Sequence, residues 1–122
     1  MIETFGALFE DYTRMDPLLQ PFLASFGAND PNHANRVEGM MKIWAGLGDA
    51  IVGAIMIADQ KRVATADRVA MLDYVGRVTA IAFVHLDADH QQRIRDYVTK
   101  LGAATRGPLH DAAARVLQTL PP

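Results

Sequence analysis

A chain of 122 residues, half of them hydrophobic and about a fifth charged, has the size and make-up of one folded domain and is wrong for a disordered segment. There is no cysteine, which excludes disulfides, thiolate metal centres and cysteine nucleophiles, and the net charge of −2 argues against a general nucleic-acid binder. That charge is unevenly spread: residues 1–60 carry three basic and eight acidic side chains (−5), residues 61–122 nine and six (+3). Pairing between two packed halves is the expected reason, and a basic docking face on the second half is the alternative.

The opening MIETFGALFEDY is acidic and lacks the basic region of a secretory signal. Phe5, Leu8, Phe9 and Tyr12 mark a first short helix. Asp16-Pro17 then reads as an N-cap followed by proline at the first helical position. Leu19, Phe22, Leu23 and Phe26 form the stripe of that second helix, which Pro21 shortens and Gly27 stops.

Asp30-Pro31 repeats the start signal and opens the longest helix, about 31–60. Val37, Met40, Met41, Trp44, Leu47, Ile51 and Ile55 fall on one face at helical spacing. Its most apolar stretch, 43–58, contains Asp49 and is short of the ~20 apolar residues that span a bilayer, so it reads as a buried helix with no membrane role. Gly46, Ala50, Ala54 and Ala58 form a ridge of small side chains that lets another helix come close. The same close packing is the expected reason for Gly46, Gly48 and Gly53, each costing up to ~1 kcal/mol of helix propensity.

Thr65 is the expected N-cap of a helix over about 66–86, with Asp73 and Arg77 paired four residues apart on its wet side. Its second half, Val78 to Leu86, is apolar on nearly every side and reads as central. Asp87 or Asp89 caps the next helix, with Ile94, Tyr97, Val98 and Leu101 as its stripe and Gly102 as its end. Gly107-Pro108 starts a last helix with Leu109, Ala113, Val116, Leu117 and Leu120 inward.

The short connection after residue 60 makes the two long helices an antiparallel hairpin. Counting outward from it puts Asp49 level with Arg77, and Trp44 level with Ala82 and Phe83. The expected fold is therefore all-α, a compact bundle of five to six helices around that hairpin, as a single helical domain over 1–122.

Candidate chemistry is sparse. His85, Asp87, Asp89 and His90 form the densest polar cluster, and imidazole with carboxylate suits zinc, manganese or iron. The cluster straddles a helix boundary, however, and capping explains its aspartates, so no metal or cofactor is expected. No nucleophile elbow, phosphate loop, dinucleotide fingerprint or zinc-protease motif occurs, and serine appears once, at Ser25, so an enzyme is disfavoured. The turn from Ala58-Asp59 to Val63-Ala64-Thr65, with the helix after it, resembles the tellurite-resistance TerB-like helical domains. Gln60 stands where those carry glycine and Asp67 only loosely matches their acidic position, so no function is carried across.

Three functional expectations remain. The first is a non-catalytic interaction or regulatory module of the cytoplasm, self-associating as a homodimer or binding a protein partner through helix faces. Phe5, Phe9, Phe22 and Phe26, clustered in the first 27 residues, are its expected interface. The second is a pocket between the long helices that takes a small apolar or anionic ligand, or performs catalysis, lined by Trp44, Asp49, Arg77 and His85. The third is a weak nucleic-acid binder through the basic segment 90–106.

Overall fold

The computed structural model describes residues 2–24 and 31–121, and five helices account for most of them: α1 (Ile2–Ala24), α2 (His33–Ala58), α3 (Thr65–Ala82), α4 (Ala88–Ala104) and α5 (Pro108–Thr119). A single 3₁₀ turn (Phe83–His85) joins α3 to α4, and no strand occurs among the described residues. The protein is an all-α bundle.

Helix α3 is its axis. Met71, Leu72, Val75, Val78 and Ala82 are fully buried, and α5, α1 and α2 pack around them while α4 closes the gap between α2 and α5. Helices α2 and α3 form the expected antiparallel hairpin. Arg68 Nε donates to the Ala58 carbonyl at 2.6 Å beside the connection, and Trp44 stacks on His85 at the far end. On α5, Thr119 meets the buried Thr79 hydroxyl at 2.9 Å. The α4–α5 crossing is equally close, because a Cβ on Gly102 would lie 3.4 Å from that of Ala113. Gly102 therefore lies within α4 as a packing residue rather than at its end.

Several local expectations are overturned. The first two helices are one continuous helix, α1, which runs through Pro17 and Pro21. Four residues apart, both prolines are exposed on one side, so the carbonyls they leave without a donor lie toward solvent. Ala64, not Thr65, caps α3, and it offers no side-chain bond. Helix α3 gives way to the 3₁₀ turn at Phe83, which leaves Val84 66% exposed. Met41 is also exposed rather than inward. Gly27, Phe26 and the expected cap Asp30 lie outside the described residues, as do the burial and contacts of the Phe22 and Leu23 side chains.

Two caps behave as expected. Asp87 accepts from the His90 backbone N–H at 2.9 Å and starts α4. Gly107 holds φ +67° before Pro108, a backbone conformation that any side chain would strain.

Candidate functional site

The four residues expected to line one pocket fall in three places. Trp44 and His85 do meet, their rings stacked with centroids 4.9 Å apart and planes 12° from parallel. Around them runs a chain of polar contacts that ties α1 and α2 to the 3₁₀ turn. Trp44 Nε1 donates to the Tyr12 hydroxyl (3.1 Å), which donates to Asp16 Oδ1 (2.6 Å), and that oxygen lies 3.6 Å from His85 Nε2. Burial, reinforced by the Asp16 carboxylate, pushes the Tyr12 hydroxyl well above its ordinary pKa, so it stays protonated and donating.

Asp49 does not pair with Arg77. Two positions before the fully buried Ile51, it lies about 200° around the helix and points away from α3. Its partner is His90 on α4: Asp49 Oδ1 is 2.7 Å from Nε2, while Asp87 Oδ2 is 2.6 Å from Nδ1. A carboxylate can only accept, so both ring nitrogens donate and His90 is an imidazolium held from both ends. The bonds to Asp49 and then Asp87 raise its pKa above the ordinary value, against a smaller effect of burial. In turn, the backbone N–H and ring of His90 hold the Asp87 carboxyl below the usual range. Helix α2 must be bare where the ring lies, since a Cβ on Gly48 would sit 2.7 Å from two ring atoms.

Arg77 is exposed, its guanidinium 4.8 Å over the Tyr74 ring, where it borders apolar clefts on both sides of α3. Its expected partner Asp73 pairs instead with Arg115 of α5 at 3.1 Å. One pocket lined by Trp44, Asp49, Arg77 and His85 therefore does not form. The two histidines of the 85–90 cluster also part company, toward Asp16 and toward Asp49. No group of three or more metal-ligating side chains occurs among the described residues.

The phenylalanines separate as well. Phe9 is 2% exposed in the core and Phe5 packs half-buried beside it, their ring centroids 5.9 Å apart. Phe9 is thus unavailable to a partner, because α1 lays it on α3. In the basic segment, Arg93 pairs with Asp89, and Arg95 is engaged by the Pro121 carbonyl and the Phe83 ring.

The exposed apolar surface lies elsewhere. Helix α2 is the one helix among the described residues long and apolar enough to cross a membrane by length and composition, yet only 39% of its most apolar stretch is buried. The rest is exposed or half-buried, with Trp44, Ala50 and Ile57 packing in part against the core. Ile43 is 43% exposed and Met56 54%, and a shallow cleft joins Ile43 and Gly46 to Leu8 and Met15 of α1. Along this face Gly39, Ile43, Gly46, Ala50, Gly53 and Ile57 recur at alternating steps of four and three, the spacing of a helix-pairing seam. Nothing lies within 4 Å of where a Cβ would stand on any of the three glycines. The expected small-residue ridge is used internally only in part: Ala54 and Ala58 are buried, Ala50 is half-buried against the core, and Gly46 is exposed.

Tyr12, Asp16 and the seam are legible in the sequence only in part. Tyr12 reads there as a helix-stripe residue and Asp16 as a cap. The recurrence of glycine every seven residues, at 39, 46 and 53, is the available signal for the seam. No known protein family, curated protein or solved structure matches this chain.

Proposed function

We propose that this protein is a non-catalytic helical interaction module of the cytoplasm that docks another helix on the outward face of α2. The observation that carries the reading is the row of glycines at 39, 46 and 53 with open space before them. An isolated helix gains nothing from such residues, each costing about 0.8–1 kcal/mol relative to alanine. A helix that receives another helix gains close backbone approach, and Ile43, Ala50 and Ile57 between the glycines supply apolar area. Leu8 and Met15 widen the same surface from α1. The catalytic alternative has less support, because Trp44, Asp49 and His85 form separate ties between elements and Arg77 lies over Tyr74 of its own helix, instead of converging on one cleft.

The test is a photo-activatable cross-linker placed in cells at Met56, on the flank of the seam, with Thr99 on the outer side of α4 as control. A discrete cross-linked protein from position 56 and none from position 99 supports docking, whether the partner is this chain or another. No adduct at 56, or equal adducts from both, refutes it.

A further inference from the structure

Resting on that docking reading, we infer that the occupant of the α2 face is a second copy of this chain, packed antiparallel with Lys42 of each copy against Asp49 of the other. The first support is charge. Lys42 and Asp49 stand seven residues apart on one flank of the seam, both on the exposed side of α2, Lys42 held only by a loose 3.7 Å surface contact with Glu38. Asp49 stays 75% exposed although one oxygen bonds His90, which fixes where the carboxylate stands.

In an antiparallel pair the flanking residues of the two helices meet on the same side, so one twofold axis brings Lys42 to Asp49 twice. A parallel pair would set Lys42 and Asp49 against Leu47 and Ala54, which are already buried in the core of their own subunit. The second support is register. A twofold axis between positions 44 and 45, close to the middle of α2, lays nearly the whole helix on its copy and leaves Lys42 and Asp49 two residues out of level, about 3 Å, within reach of the lysine side chain. The same axis puts Gly39 opposite Ala50 and Ile43 opposite Gly46. Each of these layers then sets a glycine against a larger apolar side chain. The identical patch is used on both copies, so the assembly closes at two.

A bilayer is the competing occupant for an apolar helix of this length. Lys42 and Asp49 stand midway along the exposed length of α2, and each charge at the centre of a bilayer costs about 2.5–3.5 kcal/mol on the insertion scale. Against a second copy the same two charges are complementary.

Sedimentation velocity of the intact protein from low micromolar to several hundred micromolar tests the assembly. A monomer–dimer equilibrium is expected. Lys42→Asp should weaken it roughly tenfold, since two exposed ion pairs become two repulsions. Lys42→Ala, which removes the ion pairs without adding repulsion, should weaken it less than Lys42→Asp, and circular dichroism confirms that each variant folds. A nitroxide on Lys42→Cys, mixed with isotope-labelled wild type, should broaden amides around residue 49 of the labelled copy.

A monomer throughout overturns the inference; cross-linking at Met56 to a different protein would still uphold docking. Broadening centred on residue 42, or a dimer indifferent to charge reversal, overturns the antiparallel pairing. A monomer that co-sediments with neutral phosphatidylcholine vesicles overturns it in favour of a bilayer.

Discussion

Replacing the glycines of α2 one at a time by alanine separates what the monomer needs from what its outward face needs. At Gly53 an added methyl meets nothing within 4 Å, so the variant gains helix propensity alone, about 0.8–1 kcal/mol. At Gly48 the same methyl lies 2.7 Å from Cγ and Cδ2 of His90 and 3.2 Å from its Cβ. That ring cannot swing aside without giving up two charge-assisted bonds, and it is only 12% exposed. Overpacking of this kind costs typically 1–3 kcal/mol, which outweighs the propensity gain and leaves Gly48→Ala destabilised by about 1 kcal/mol.

The two alanine variants should therefore differ by about 2 kcal/mol, or roughly 8 °C in Tm for a chain of this size. Chemical and thermal unfolding followed by circular dichroism, in solution dilute enough to keep the protein monomeric, measures the difference. A Gly48→Ala variant as stable as Gly53→Ala would refute the account of the His90 contact. Gly53→Ala should also weaken self-association, because the methyl enters the seam. A variant that stabilises the monomer while loosening the dimer would identify the glycine row as an interface feature.

Raising the pH should cost stability in a defined window. His90 has its folded pKa above the unfolded value of about 6.5, so its contribution is full below that value and is lost as pH rises through the folded pKa. Asp49→Asn should flatten this slope and lower the His90 midpoint read by NMR; an unchanged midpoint would contradict the clasp. Tyr12→Phe removes the acceptor for Trp44 Nε1 and the donor to Asp16, and should cost about 1–2 kcal/mol in denaturant unfolding. Gly107→Ala, at φ +67° and ψ −141°, should cost about 1–3 kcal/mol through backbone strain alone, since nothing lies within 4 Å of the added Cβ. A neutral result there would mean that the α4–α5 turn relaxes freely.

How much is legible from the residues differs by element. The apolar periodicity of α2 through α5, the Asp87 cap and the Gly107-Pro108 start depend on interactions within a few positions, and these the sequence can state. The α2–α3 hairpin follows from a short connection, and its expected register comes within a turn at Trp44 and His85. The failures share a cause. Pro17 and Pro21 read as a break because proline removes a local bond, whereas α1 is held mainly by packing on α3 and in part on α2. Level along two helices matches Asp49 to Arg77. Which way each side chain points around its helix, and that α4 presents His90 to α2, depend on a third element. Phe9 reads as interface for the same reason, since an apolar stripe does not say which neighbour will cover it. Local composition and spacing determined that this chain is a helical bundle and where most of its helices start. Only the tertiary structure decided which faces are buried inside and which, like the glycine row of α2, are left outward, because burial is settled between segments distant in sequence.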